Sequence, residues 1–136
     1  MGVLIDTSVL IPVERDGIFW DELLGRGVDL AEDEPVSMSA ITASELLHGV
    51  HRLKGIAQAR AGLFVDTLLA HIPVLPFDTE VARVHAMIAA ACAAKGAAAG
   101  AHDLIIAATA VAHGYDVATR DRKSFSTIDD LRVRQW

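Results

Sequence analysis

The chain has 136 residues, 52% of them hydrophobic and 22% charged, enough to bury one sizeable core without disulfide or metal staples, so a single domain over residues 1–136 is expected. A net charge of −6 excludes broad, non-specific attraction to nucleic acid, which needs a basic surface, but not an enzyme that gathers carboxylates around a cation. No uncharged apolar run reaches the roughly 18 residues of a membrane span, the N-terminus lacks the features of a secretory signal, and the one cysteine, Cys92, makes no intramolecular disulfide, so a cytoplasmic protein that engages no membrane is expected.

Val3 to Ile11 (VLIDTSVLI) begins as a β-branched strand that breaks at Asp6 and resumes as an apolar helix. Short helices are expected over Ser8–Arg15 and Ile18–Leu24, the latter with Phe19, Leu23 and Leu24 near one face. Asp29, Glu32, Asp33 and Glu34 read as a solvated acidic loop closed by Pro35. Val36–Ser39 is a second strand, followed by a helix over Ile41–Leu53 with Ile41, Leu46, Leu47, Val50 and Leu53 on its apolar stripe and Gly55 at its end. Another helix runs from Ala57 to His71 with Leu63, Phe64, Leu68 and Leu69 inward, and Pro73 and Pro76 bracket a short strand, Val74–Leu75.

Asp78 is placed to cap a long helix from Thr79 to about Lys95, which Gly96 stops. Ala97–Ala101 reads as a connection, His102 or Asp103 opens the next helix, and Gly114 ends it. Val117–Thr119 is a strand, Arg120–Ser126 a turn and short helix, and Leu131–Trp136 an edge strand. Strands and helices alternate without a hairpin signature, which implies right-handed crossovers and a mostly parallel sheet covered on both faces.

Asp6 therefore sits at the carboxyl end of a strand, where open parallel sheets build their sites. Glu45, in the first turn of the helix after strand two, Asp103, in the first turn of the later helix, and Asp121, just past the strand ending at Thr119, fall at the same edge. Each has a plain structural alternative: a helix cap for Asp6, a capping box with Thr42 for Glu45, a macrodipole partner for Asp103, a turn for Asp121. Together, four carboxylates at one edge would raise each other's pKa unless a cation held them, and hard oxygen ligands suit Mg²⁺ or Mn²⁺. His48 and His51 lack the spacing of a zinc helix, and His71, His85 and His113 stand alone in the sequence. His102 lies beside Asp103. Neither a nucleophile elbow nor a phosphate-binding glycine loop is present.

The stretches IDTSVLI, ITASELLHGV around Glu45, HDLIIAATAVAHGYDVATRD from His102 to Asp121, and Phe125 resemble the PIN-domain ribonucleases, specifically the VapC toxins of bacterial toxin–antitoxin pairs. The likeness runs from the first strand to the last. It implies an α/β fold, the PIN-like three-layer α/β/α sandwich with a central, mostly parallel sheet of about five strands, and the activity of a Mg²⁺- or Mn²⁺-dependent endoribonuclease toxin.

Asp6, Glu45 and Asp103 match the three acids that bind the metal in that family, and Asp121 matches its fourth position. Thr7, Ser8 and Thr119 match hydroxyl residues that orient carboxylates or water. Relatives with Asn at the position of Asp121 often carry Asp at that of Ser124, so here the acid is moved rather than lost, which leaves open whether one metal or two is held. Arg120, Arg122 and Lys123 flank Asp121 as RNA-backbone contacts or as an ordinary solvated turn, with Arg15 and Arg52 as further candidates. The resemblance also implies a homodimer, a VapB-type antitoxin laid over the groove with a basic side chain in the acidic site, and a heterotetramer or larger assembly with it. Phe19 and Trp20 are available to such interfaces or to the core.

Two other classes compete. A catalytically silent PIN-like module would bind RNA or a partner without cutting, but has no need to concentrate repelling carboxylates. A phosphoryl-transfer enzyme with Asp6 as nucleophile would want a second Asp where the chain has Ser8.

Overall fold

A computed structural model of the chain describes residues 1–10, 30–31 and 33–136. Five strands form one parallel sheet in the order β3-β2-β1-β4-β5: β1 (Val3–Ile5), β2 (Val36–Ser39), β3 (Val74–Leu75), β4 (Asp116–Thr119) and β5 (Val133–Gln135). The helices are α1 (Ala40–His51), α2 (Gly55–His71), α3 (Thr79–Ala94) and α4 (Ala101–His113), and a single 3₁₀ turn spans Arg122–Phe125. Residues 7–10 are helical. The rest of the two helices expected up to Leu24, with Arg15, Phe19 and Trp20, lies outside the described residues, as do Asp29 and Glu32.

The central strand explains the layering. Along β1 successive side chains leave on opposite faces. Leu4 packs with Val117, Phe125 and the apolar sides of α3 and α4, whereas Ile5 packs with Met38 and the inner sides of α1 and α2. Val3, Leu4 and Ile5 are fully buried, as the unbroken apolar run of a doubly covered parallel strand requires. Phe125 anchors the turn after β4 with 1% exposure, a burial worth about 1.5–3 kcal/mol. The three-layer sandwich expected from the sequence is the one found.

Local chemistry sets most boundaries. Asp78 caps α3 by accepting the Val81 N–H at 3.0 Å, and Gly114 closes α4 in the left-handed conformation (φ 69°) that a side chain disfavours. Several expectations need correction. Gly55 opens α2 instead of closing α1, and α4 starts at Ala101 with Gly100 as its cap. Leu63 is 71% exposed rather than inward, while Val65 takes the buried place; Leu47 and Leu53 lie at the rim of α1. Leu47 stands next to the buried Leu46, which periodicity alone does not separate, whereas Leu63 lies two positions from both Ala61 and Val65 and so faces away from the buried stripe.

The acidic loop is also not wholly solvated. Glu34 receives two hydrogen bonds from Arg134, at 3.0 and 2.6 Å, and its side chain is only 8% exposed. Arg134 also donates to Asp116 Oδ2 at 2.8 Å, and Arg132 lies 2.9 Å from Asp116 Oδ1 as an ion pair without hydrogen-bond alignment. This network joins the segment before β2 to β4 and β5.

Candidate active site

Strand register levels the ends of β1 and β4. Ile5 pairs with Ala118, and the Asp6 N–H donates to the Ala118 carbonyl at 2.9 Å, so Asp6 emerges beside Thr119. Leu4 pairs with Ser37, and the same register carried on brings Ser39 to this edge from β2. The chain order reverses between β2 and β4 around β1, so the crevice at their carboxyl ends lies at the topological switch point.

Asp6 is 7% exposed and is held from one side. Ser8 Oγ and Thr119 Oγ1 each donate to its Oδ2 at 2.8 Å. Both hydroxyls are oriented in turn by backbone donors: the Arg120 N–H reaches Ser8 Oγ at 3.1 Å and the Asp121 N–H reaches Thr119 Oγ1 at 2.9 Å. Each hydroxyl has one hydrogen. Both hydrogens go to Oδ2, so the 3.1 Å approach of the two hydroxyl oxygens is a close contact, not a further bond. Among the described residues, the side chain of Asp6 is thus engaged by hydroxyls, not by helix N–H groups.

Glu45 stands in the second turn of α1, not the first. Its capping-box role with Thr42 is overturned: Ser39 is the N-cap, and its Oγ accepts the Thr42 N–H at 3.1 Å. Glu45 instead faces His102, with Oε1 3.4 Å from Nδ1. Thr7 is buried beside it; its hydroxyl favours the charged form of Glu45 but completes no hydrogen bond among the described residues.

Asp103 occupies the first turn of α4, as expected, and its carboxylate folds back over the helix start. A Cβ built on Gly100 would stand 2.9 Å from Asp103 Oδ2, so the cap is glycine because the carboxylate lies on it. Asp121 is exposed and caps the 3₁₀ turn: Oδ1 accepts the Ser124 N–H at 3.3 Å and Oδ2 accepts the Ser124 hydroxyl. The turn role that the sequence leaves open for it is therefore present. Arg122 and Lys123 are exposed on that same turn and Arg120 is exposed just before it, and Arg52 ends α1 at the other end of the helix from Ser39.

Electrostatics ties the four acids together. Glu45 is pushed above the ordinary carboxylate value by burial and by Asp6 and Asp103, against the opposing pull of His102. Asp103 is raised by burial, then by Asp6 and by Asp121. Groups that unsettle one another this way share one low-dielectric cleft. Among the described residues, no three His, Cys, Asp or Glu side chains stand close enough to enclose an ion as they are arranged. The acids are coupled through space rather than in ligand contact.

Residues 3–131 match the family model described as PIN domain. The chain belongs to the PIN-domain family. Within it, "Ribonuclease VapC" of Rickettsia bellii is 33% identical over 134 residues, 98% of this chain and 95% of the relative. The solved structure of VapBC2 from Rickettsia felis bound to a promoter DNA fragment superposes with a TM-score of 0.86 at 22% identity, covering 100% of this chain and 99% of that one, a likeness of fold. DNA-bound VapBC from Salmonella typhimurium has a TM-score of 0.84 at 26% identity over 100% and 98% of the two chains. The PIN-domain protein described here is of the VapC type.

Ser124 stands out in the sequence only for what it replaces, and nothing there signals its grip on Asp121. The Arg134 network has no sequence signal either, because nothing local links positions a hundred residues apart.

Proposed function

We propose that this PIN-domain protein is a cytoplasmic, divalent-metal-dependent endoribonuclease toxin of the VapC type, held in check by a VapB-type antitoxin. The convergence of Asp6, Glu45, Asp103 and Asp121 on one sheet edge carries this reading, together with the ribonuclease name of a relative 33% identical over nearly the whole chain. The VapBC assembly of the Salmonella typhimurium structure supports the antitoxin partner. No helix among the described residues is long and apolar enough to cross a membrane.

The donor set fits Mg²⁺ or Mn²⁺. Oxygens dominate it, both hydroxyls that bind Asp6 take Oδ2 and none of the described residues donates to Oδ1, and the buried Thr7 hydroxyl has no partner among the described residues and so has bonding capacity left for a bound water. A divalent ion supplies an activated water and a positive charge opposite the scissile phosphate when bound. Asp6, Glu45 and Asp103 would hold it, with Asp121 at the margin. Ser8 and Thr119 keep the Asp6 carboxylate from turning. Arg120, Arg122 and Lys123 engage the RNA backbone beside the cleft, and neutralising any one of these cations should flatten the salt dependence of binding by about 0.7 in log–log slope.

Sequencing RNA ends after brief induction tests the reading. Native protein should generate discrete new ends and arrest growth, and Asp103→Asn should do neither. Identical ends from both proteins would contradict it.

A further inference from the structure

Three strands end in one row at the acidic edge. Ile5 pairs with Ala118 and Thr119 pairs with Gln135, so Asp6, Thr119 and Gln135 stand abreast at the ends of β1, β4 and β5. Two residues earlier in each strand, Leu4, Val117 and Val133 pack in one core cluster. Side chains two apart leave a strand on the same face, so Asp6, Thr119 and Gln135 share that face as well. Neighbouring strands lie about 4.8 Å apart, which puts the Gln135 backbone about 10 Å from that of Asp6, with Thr119 between them.

Two acceptors orient the Gln135 amide. Its Nε2 donates to the Arg120 carbonyl at 3.2 Å and lies 3.5 Å from the Trp136 carbonyl, so nitrogen rather than oxygen faces the backbone. The Arg120 carbonyl and the Asp121 N–H belong to one peptide group. That N–H donates to Thr119 Oγ1 at 2.9 Å, and Thr119 Oγ1 donates to Asp6 Oδ2 at 2.8 Å. Every donor in this series points toward Asp6.

A second series runs beside it. The Trp136 N–H donates to the Thr119 carbonyl at 2.9 Å, the Arg120 N–H of the same peptide group donates to Ser8 Oγ at 3.1 Å, and Ser8 Oγ donates to Asp6 Oδ2 at 2.8 Å. Both series start at the end of β5, pass through one peptide group each and meet on one carboxylate oxygen. Hydrogen bonds in line polarise one another, so each link gains from the one behind it. The second series begins with a backbone N–H that the strand fixes. The first begins with a side chain, which a substitution can remove.

We propose that Gln135 is a positioning residue for Asp6: its amide fixes the peptide between Arg120 and Asp121, which aligns the Thr119 hydroxyl and so keeps the Asp6 carboxylate turned toward an ion. This assignment rests on the metal-dependent nuclease reading. Gln135 touches neither the ion nor the reacting atoms. Its influence passes through Thr119, while Trp136 serves Ser8.

The test is calorimetric titration of the full chain with Mn²⁺, on native protein, Gln135→Met, Thr119→Val, Ser8→Ala and the two double variants that combine Gln135→Met with each of the others. Methionine keeps the length and neutrality of glutamine without its donor. Gln135→Met should weaken Mn²⁺ binding about two- to fivefold, the lower part of the range for one net hydrogen bond because the amide is exposed. Metal-free Gln135→Met should unfold at the native temperature, as exposed substitutions do. Added to Thr119→Val it should weaken binding no further, whereas added to Ser8→Ala it should keep its full effect. A merely structural residue would lower the unfolding temperature and act equally in both backgrounds. Native Mn²⁺ affinity in Gln135→Met, or an equal further loss in both backgrounds, would overturn the assignment. Asp6→Asn is titrated alongside. If native protein takes up no Mn²⁺, or Asp6→Asn takes it up as tightly as native, the metal-dependent reading itself fails; if uptake needs Asp6 but not Gln135, only the positioning role fails.

Discussion

Thr119 Oγ1 donates to Asp6 Oδ2 at 2.8 Å and closes a span of 113 residues, fastening the end of β4 to the end of β1 at the acidic edge. The same hydroxyl accepts the Asp121 N–H, so one side chain aligns two of the four acids. Thr119→Val keeps the shape and removes the hydroxyl. It should lower Mn²⁺ affinity about 10- to 100-fold in a calorimetric titration, as loss of a partner behind a metal ligand commonly does. Thr119→Ser should bind close to native. The Asp121 N–H also loses its acceptor in the valine variant, which adds a stability loss of about 1–3 kcal/mol.

Gly100→Ala separates stability from site geometry. The new methyl would meet the Asp103 carboxylate at 2.9 Å, and the carboxylate is the part able to move. The melting temperature should hardly change, while RNA cleavage falls about 100-fold, the scale of effect of a misplaced reacting group. Unchanged cleavage would mean that Asp103 works from a different position.

The raised values of Glu45 and Asp103 set a pH dependence for metal-free protein. A carboxyl raised on folding binds more protons in the native state between its unfolded and folded pKa. Its contribution therefore favours the fold more at acid pH and is lost as pH rises through the folded value. Glu34 works the other way: Arg134 lowers its pKa, so it stabilises above the ordinary carboxylate range and loses that contribution as pH falls through its folded value. Metal-free protein should thus gain stability as pH drops from neutral toward the folded values of Glu45 and Asp103, before carboxylates such as Glu34 protonate. Asp103→Asn should reduce that gain, and bound Mn²⁺ should abolish it. Thermal unfolding across pH, with and without metal, checks the signs.

Arg134→Met tests the network away from the site. It leaves Glu34, 8% exposed, without its cation and Asp116, 12% exposed, with Arg132 alone, and should cost about 3–5 kcal/mol in urea unfolding, the usual penalty for leaving a buried charge unpaired. The fraction that remains folded should cut RNA at the native rate.

Much of the fold is legible in the sequence because single-residue chemistry governs it. The β-branched runs, Pro73 and Pro76 around β3, the Asp78 cap and the Gly114 stop all act within a few residues, and the structure reproduces each. The placement of Asp6 and Asp103 can likewise be read from the strand end and the helix start. What the sequence hides depends on partners distant in the chain or on one-residue choices. Ser39 looks like the end of a strand, and its capping role, which frees Glu45 from Thr42, emerges only when α1 starts one residue earlier than expected. That Ser8, not Thr7, holds Asp6 depends on where the backbone of Arg120 and Asp121 arrives from β4.

We propose that the acids at the carboxyl edge of β1 hold the ion that cuts RNA. The most direct test is single-turnover cleavage of RNA by native protein and Asp6→Asn, with Mn²⁺ and with chelator. Native protein should cut only with Mn²⁺, and Asp6→Asn should be inactive in both. Cleavage by Asp6→Asn at the native rate, or by native protein in chelator, would contradict it.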